Sequence, residues 1–167
     1  IQYAVILENP NTKLGVELSE VRITAKAEDG SILATETFFV NELLPGNIKA
    51  TAGQGPHVDE LPASVDFEVI TPEEYFIVAA ESLPSYSQEA LTVENLKATS
   101  DSVTGEIVNP NEENLDAEVV VVFRDDAGNI TAGDMTLVQS VSANGKTPFE
   151  MKHYEYDFVT TTYEVYS

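Results

Sequence analysis

Apolar and polar residues alternate along most of this chain in short runs, and turns rich in glycine, proline and asparagine separate the runs. Valine, isoleucine, threonine and aromatic residues fill the runs, and these residue types fit the half-buried surface of a pleated sheet. Helix signals are few. Thr71-Pro72-Glu73-Glu74 resembles a helix start, but β-rich residues follow it, so a turn into a strand is expected there. Short strands at regular spacing predict an all-β, antiparallel sandwich or barrel.

The chain repeats itself. The triplet Asn9-Pro10-Asn11 recurs as Asn109-Pro110-Asn111 at a spacing of 100 residues, and the turn glycines Gly30 and Gly128 lie 98 residues apart. An even shift keeps the two faces of a strand in phase, because side chains alternate with a period of two. The shift superimposes two sets of strand residues: Val21, Ile23 and Ala25 on Val119, Val121 and Phe123. We therefore predict two tandem small antiparallel immunoglobulin-like β-sandwich domains, at residues 1–83 and 84–167.

The late strands of the two copies can be aligned in two ways. Phe67-Glu68-Val69 matches either Phe149-Glu150-Met151 or Tyr163-Glu164-Val165. The first alignment is preferred because it gives the apolar run Tyr75–Val78 a counterpart at the C-terminus. It requires extra residues in the first copy, which we place in an inserted loop at 47–63. Long loops on rigid sandwiches often carry function, so this loop is the first place to look for a site.

The two copies also differ at their first strand. The stretch Ala90–Thr99 supplies an opening strand before the second Asn-Pro-Asn strand, whereas the first copy begins at Ile1 without an equivalent. The start inside an apolar run indicates a mature product or a trimmed chain. An open sheet edge pairs readily with another strand. The first domain is therefore expected to lack its first strand, and a homodimer through this open edge is a hypothesis.

Composition narrows the class of function. The 29 acidic residues outnumber the 8 basic ones, which gives a formal charge of −21 that is spread evenly along the chain. Nucleic-acid binding needs clustered lysine and arginine, so no nucleic-acid partner is expected, and anionic membrane surfaces are disfavoured for the same reason. No apolar stretch approaches the ~20 residues that span a bilayer. The absence of cysteine excludes disulfides, thiolate metal sites and cysteine nucleophiles.

The segment Val103–Lys152 resembles a known family. Its "GEIVN" strand, its strand ending in aspartate before a glycine turn, and its late Pro148-Phe149 pair follow the pattern of the FxLYD domain. That domain is a small immunoglobulin-like β-sandwich frequent in exported lipoproteins of Gram-positive bacteria. The naming motif departs here, because Val121–Asp125 stands where Phe-x-Leu-Tyr-Asp is expected. The Asn-Pro-Asn turn is also similar to the sandwich of WHy-type late-embryogenesis-abundant proteins. The resemblance covers nearly the whole second copy and most of the first, and it implies no shared catalytic residues.

Several polar residues invite a chemical interpretation. Asp125, Asp126 and Asn129 offer oxygen ligands for calcium, but they lack the alternating spacing and the closing glutamate of an EF-hand loop. A hairpin turn explains them better, because aspartate and asparagine bond to their own backbone in turns. Asn9 and Asn109 are expected to cap bends, and the prolines after them to end the strands. No metal site is predicted.

The histidines and the C-terminal aromatic residues complete the candidates. His57 lies in the predicted inserted loop next to Asp59 and Glu60, and His153 lies in a predicted strand. A catalytic triad would need a serine or threonine and an orienting carboxylate around one of them. Exposed tyrosines stack on sugars or form protein interfaces, although they more often cover the rim of a sandwich. The aromatic cluster comprises Tyr154, Tyr156, Phe158, Tyr163 and Tyr166.

Together these features predict a non-enzymatic, extracytoplasmic binding or spacer module of a cell-surface lipoprotein from a Gram-positive bacterium, without cofactor or catalytic residues. Its partner would be a protein or a cell-wall glycan. It would reach a membrane only through an N-terminal lipid anchor outside this chain. Two alternatives stay open. One is an accessory domain of a carbohydrate- or peptide-acting surface enzyme, with its site at His57 and the nearby acids. The other is a calcium-dependent adhesion module.

Overall fold

The computed structural model of the chain describes residues 1–70, 73–99, 101–152 and 162–167, and only the backbone of Tyr75 and Tyr163. Within these ranges the chain forms twelve β-strands, three short 3-10 turns and no α-helix, so the all-β prediction is confirmed. The strands are β1 (Gln2–Glu8), β2 (Leu14–Lys26), β3 (Ile32–Leu43), β4 (Ile48–Gln54), β5 (Ser64–Ile70), β6 (Ile77–Ala79), β7 (Thr92–Ala98), β8 (Ser102–Asn109), β9 (Leu115–Arg124), β10 (Ile130–Val141), β11 (Gly145–Lys152) and β12 (Thr162–Tyr166).

The chain divides into two compact units. Unit 1 comprises residues 1–2, 6–49 and 54–87, and unit 2 comprises residues 3–5, 50–53 and 88–167. The predicted boundary lies after residue 83, whereas the continuous part of unit 2 begins at Gln88. Short pieces of β1 and β4 belong to unit 2, which the repeat pattern did not predict.

Unit 2 contains two three-stranded sheets joined by an apolar core. One sheet has the order β10–β9–β12 and the other the order β11–β8–β7. Side chains alternate between the two faces of a strand, so every second residue of β8 points inward. The inward residues of both sheets form two clusters: Val103, Val121, Phe123, Ala132 and Met151; and Ile107, Ala117, Val119, Val141 and Phe149. Unit 2 is therefore a two-layer β-sandwich.

β2 is the central strand of unit 1. It pairs with β3 on one side and β5 on the other, and its first residues pair with β6. Val21, Ile23 and Ala25 are fully buried on one face of β2, and their predicted counterparts on β9 are also buried. Cross-strand neighbours share a face in an antiparallel pair. The same inner face therefore carries Val69 and Phe67 of β5, which lie opposite Val21 and Ile23. β1 and β4 form a separate two-stranded sheet.

The strand that matches β5 in the second copy is β12. Phe67 of β5 lies opposite Ile23 of β2, and Val165 of β12 lies opposite Val121 of β9. Phe67 therefore corresponds to Val165, and the preferred alignment of Phe67-Glu68-Val69 with Phe149-Glu150-Met151 is wrong, because Phe149 lies in β11, which pairs with β8. The alternative alignment chose the right strand two residues out of register. A slip of two residues leaves the apolar face unchanged, so the pattern could not exclude it.

The run after Thr71 also pairs differently from the prediction. Glu74–Phe76 forms a single 3-10 turn that leads into β6, so the expected turn into a strand is confirmed. Thr71 and Pro72 lie outside the described residues. β6 pairs with the start of β2, where Val78 lies opposite Gly15. The correspondence of this run with the last strand is therefore wrong, because β12 takes the position of β5.

Part of the predicted inserted loop at 47–63 is a strand. Residues Ile48–Gln54 form β4, and only residues 55–63 connect β4 to β5. Ala50 and Ala52 are buried in this strand. The segment did not look like a strand because alanine and glycine are depleted in strands. No insertion is needed, because positions with positive φ recur 98 residues apart: Gly30 and Gly128, Glu42 and Ser140, and Gly46 and Asn144.

One packing contact in unit 2 requires a glycine. Gly133 lies in β10 opposite Val122 of β9. A Cβ atom at Gly133 would lie 2.4 Å from the Cβ of Ala4 and 3.0 Å from the Cβ of Ala52. Both alanines belong to the pieces of β1 and β4 that are part of unit 2. Real Cβ atoms do not approach one another so closely, so the position accepts only a residue without a side chain.

Candidate binding surface

The turn at Asp125, a candidate calcium loop in the sequence, is held together by its own side chains. Asp125 Oδ1 accepts hydrogen bonds from the backbone N–H groups of Ala127 (2.9 Å) and Asn129 (2.8 Å), and Oδ2 accepts one from Asn129 Nδ2 (3.0 Å). In the matching turn of the first copy, Asp29 Oδ1 accepts a hydrogen bond from the backbone of Ser31 (2.9 Å). The carboxylates therefore stabilise hairpin turns, as the pattern predicts.

These hydrogen bonds make stability depend on pH. The bonds from the side chain and then the backbone of Asn129 lower the pKa of Asp125 below its ordinary value. A lowered folded-state pKa contributes stability that is fully present above the unfolded value, ~3.9 for aspartate, and is lost as pH falls through the folded value.

Asp125→Asn should therefore lower the Tm at neutral pH and reduce the fall in Tm on acidification. Calorimetry between about pH 7 and pH 2 measures both effects. Asp126→Asn removes the same charge one residue away and is the matched control; equal profiles for the two variants would contradict the prediction.

Asn9 and Asn109 are buried, and each side-chain amide makes the same four kinds of hydrogen bond. Asn109 Nδ2 donates to the carbonyl oxygens of Glu113 (2.8 Å) and Val141 (3.1 Å). Its Oδ1 accepts from the backbone (2.9 Å) and side-chain (3.0 Å) N–H groups of Asn111. Asn9 bonds the equivalent set: the carbonyl oxygens of Leu14 and Leu43 and both N–H groups of Asn11. The two amides therefore cap bends, which confirms the structural interpretation.

His57 and Asp59 lie together in the 55–63 connection and face solvent. His57 Nε2 is 3.6 Å from Asp59 Oδ1, and the two side chains are 91% and 103% exposed. Full exposure leaves both groups hydrated, and an exposed pair of this kind is not held in one orientation. The other histidine, His153, lies outside the described residues.

Most of the C-terminal aromatic cluster also lies outside the described residues, namely Tyr154, Tyr156 and Phe158. Tyr166 is half-buried at the end of β12, and its hydroxyl donates to Glu164 Oε2 (3.0 Å). Burial, followed by the neighbouring Glu164 carboxylate, raises the pKa of Tyr166. This tyrosine is therefore engaged with its own strand.

Basic side chains connect neighbouring strands. Lys26 of β2 pairs with Asp66 of β5 (2.5 Å), and Arg124 of β9 pairs with Glu164 of β12 (2.9 Å) at the equivalent position of the second copy. The bond from Arg124 holds the pKa of Glu164 below its ordinary value. Two further pairs join strands: Arg22–Glu68 joins the neighbours β2 and β5, and Lys146–Glu94 joins β11 and β7 across β8. At least four of the 8 basic residues thus neutralise acids within the fold, and the remaining acids dominate the surface charge of −21.

The part of the chain that the structure describes contains no group of three or more histidine, aspartate or glutamate side chains arranged to hold a metal ion. In the same residues, no helix is long and apolar enough to cross a membrane. The polar candidates from the sequence therefore do not converge on one site within the described ranges.

The structure exposes instead an apolar surface that the pattern did not single out. Phe67 and Val69 lie on the inner face of the β3–β2–β5 sheet, beside the fully buried Ile23 and Val21. Phe67 is nevertheless 46% exposed and Val69 55% exposed. We call these two residues the β5 strip. The correct alignment of Phe67 with Val165 would have drawn attention to it, because the sequence already shows that the opening strand at Ala90–Thr99 has no counterpart ahead of the first Asn-Pro-Asn strand.

Comparisons with known proteins do not assign the chain to a family. No protein-family model matches it, and no curated protein is significantly similar to it.

Proposed function

We propose that this chain is a non-enzymatic binding and spacer module of a cell-surface lipoprotein in a Gram-positive bacterium. Its two repeats would be tandem immunoglobulin-like domains of the FxLYD type, and its partner would be a protein or a cell-wall glycan. The pattern of residues Val103–Lys152 supports both the family and the extracytoplasmic location.

The observation that carries the proposal is the β5 strip. Burial of apolar surface stabilises a protein by roughly 25 cal/mol per Å², so an inward-facing Phe67 at 46% exposure leaves stabilisation unused. Single exposed apolar residues are common on protein surfaces, but Phe67 and Val69 are adjacent on the inner face of a sheet, where a partner would be needed to cover them. The polar side chains support the spacer role, because Asn109 and Asp125 bond to backbone groups and hold turns in place.

Cell binding tests the proposal. The chain has no cysteine, so Leu61→Cys, at a position that is 94% exposed, gives one site for a fluorescent dye. The labelled chain should bind intact Gram-positive cells saturably in flow cytometry. Phe67→Ser combined with Val69→Thr should weaken binding at least about tenfold, because apolar anchors carry most of the energy of an interface. Phe39→Ser is the matched control, since Phe39 is 57% exposed but lies on the outer face, opposite Glu20.

Other outcomes identify the alternatives. If His57→Ala combined with Asp59→Ala abolishes binding while the β5-strip variant retains it, the site lies in the 55–63 connection and the accessory-enzyme alternative replaces the proposal. If a calcium chelator abolishes binding, the adhesion alternative replaces it. A labelled chain that does not bind cells contradicts the binding function.

A further inference from the structure

In unit 2, the strand β7 shows how this sandwich is completed. β7 pairs antiparallel with β8, so that Val93 lies opposite Ile107. Leu91 and Val93 pack against the core cluster that contains Ile107 and Val119, and Val165 of β12 packs against the same cluster. β7 therefore supplies both hydrogen bonds to the edge of β8 and apolar cover for the core beside β12.

Unit 1 has apolar residues at the equivalent positions but no equivalent of β7 among the described residues. Leu7, Val21 and Phe67 correspond to Ile107, Val119 and Val165. Leu7 and Val21 are buried, at 7% and 0% exposure, whereas Phe67 and Val69 are exposed. Val165, by contrast, is half-buried. Within the described part of the chain, β1 has a partner strand on one side only, β4.

We propose that unit 1 accepts a β-strand donated by a polypeptide segment outside these 167 residues. The donated strand pairs antiparallel with Ile6–Glu8 of β1 and covers the β5 strip. Strand addition at a sheet edge combines main-chain hydrogen bonds for affinity with side-chain pockets for specificity. A two-stranded sheet such as β1–β4 is marginal by itself, so a third strand would stabilise it.

The geometry of β7 specifies the donated strand. Thr92, Val93 and Glu94 lie opposite Val108, Ile107 and Glu106, and the counterparts of these β8 residues in β1 are Glu8, Leu7 and Ile6. The donated strand should therefore carry apolar side chains at the two positions equivalent to Leu91 and Val93, with a polar residue between them.

The outward side of the donated strand should differ from β7. Glu94 of β7 pairs with Lys146 of β11 (2.5 Å). The residue of unit 1 at the position of Lys146 is Ile48, which is 55% exposed and offers no positive charge. An uncharged residue is therefore expected where β7 has Glu94.

Charge argues against a second copy of this chain as the donor. Each copy carries −21, and Glu8 lies exposed at the end of the β1 edge. Two copies paired through this edge would bring like charges together, which is unfavourable for cross-strand neighbours. A segment with few acidic residues avoids this repulsion.

A peptide stands in for the donor in the test. It carries the sequence of Ala90–Thr99 with Glu94→Thr, and it is used both free and joined ahead of Ile1 through a flexible Gly/Ser linker. Joining the strand should slow hydrogen exchange at the amides of Ile6, Leu7 and Glu8 at least about tenfold. It should also raise the Tm by about 5 °C. The free peptide should protect the same amides, and this protection should saturate as the peptide concentration rises. The variant with Phe67→Ser and Val69→Thr should show less protection at the same peptide concentration.

Two controls decide the result. A peptide with serine in place of Leu91 and Val93 should give no protection, and Phe39→Ser should leave the effect of the full peptide unchanged. Absence of protection with both the free and the joined strand overturns the proposal. So does a chain without peptide that sediments as a dimer with these three amides already protected, because a second copy is then the occupant.

This inference rests on the proposed function, because both use the β5 strip. Strand addition and cell-surface binding can nevertheless fail separately. A chain that binds cells through the β5 strip and ignores the peptide overturns the strand inference alone. A chain that takes up the peptide but does not bind cells overturns the cell-surface binding function alone.

Discussion

Asn109→Asp should destabilise unit 2 by about 3 kcal/mol or more at neutral pH, because it places a charge in a buried site built for an amide donor. Asn109 is 1% exposed, and its Nδ2 lies 2.8 Å and 3.1 Å from the carbonyl oxygens of Glu113 and Val141. The substitution puts a carboxylate oxygen at the position of the donor, where it faces two other oxygens. Urea unfolding at equilibrium measures the loss.

The stability lost through Asn109→Asp should become smaller as the pH falls. Burial and the facing carbonyl oxygens should raise the pKa of the new carboxyl group above its ordinary value. A raised folded-state pKa means that the protonated form is favoured in the folded protein, so the variant is most stable below the unfolded value of ~3.9 and loses stability as pH rises through the folded value.

Two further substitutions test the explanation, one in the equivalent site and one as a control. Asn9→Asp should show the same pH dependence in unit 1, because Asn9 makes the equivalent bonds. Asn114→Asp is the control, since Asn114 is exposed and its Nδ2 donates only to the hydroxyl of Ser140 (3.1 Å). If the loss of stability is the same at neutral and at acidic pH, or is as large for Asn114→Asp, the buried amide is not responsible for it.

Gly133→Val is expected to destabilise unit 2 by about 3 kcal/mol, at the upper end of the range for overpacked cores. Even the first atom of the side chain would lie 2.4 Å from the Cβ of Ala4 and 3.0 Å from that of Ala52. Both Cβ atoms are attached directly to backbone and cannot rotate away. The fall in Tm and the urea midpoint both report the change.

A compensating substitution tests whether steric overlap causes the loss of stability, or whether any substitution at this position of β10 would cause it. Gly133→Ala should be destabilising alone, and Ala4→Gly should restore much of the loss, because it removes the atom in closest contact. Residues in direct contact show such non-additivity, whereas independent sites do not. Purely additive effects of the two substitutions would mean that the overlap with Ala4 is not the cause.

Alternation of apolar residues was sufficient to predict the all-β fold and the buried faces of β2 and β9. It failed where the pattern carries no register information. Phe67-Glu68-Val69 resembles two later strands equally well, and only the pairing of Phe67 with Ile23 identifies the correct one. It also failed at β4, where alanine and glycine replace the usual strand residues because the strand packs closely.

The candidate site was missed for a related reason. Sequence reasoning followed polar residues such as Asp125 and His57, which turned out to stabilise a turn or to lie in solvent. Phe67 is exposed because no other element covers it among the described residues. The alternation of apolar and polar residues along a strand is the same whether or not its apolar face is covered. Only a residue-by-residue match to the covered second copy distinguishes the two cases.

The placement of charges has a consequence for aggregation. In the pairs Lys26–Asp66, Arg22–Glu68 and Arg124–Glu164, the cation lies on a central strand and the acid on an edge strand. One edge strand of the β3–β2–β5 sheet and one of the β10–β9–β12 sheet, namely β5 and β12, therefore carry charged side chains. Charged edge strands resist the edge-to-edge association that leads to insoluble assemblies. At β1, the open edge of unit 1, the exposed carboxylate of Glu8 acts in the same way, so a strand added there must match the edge in charge as well as in shape.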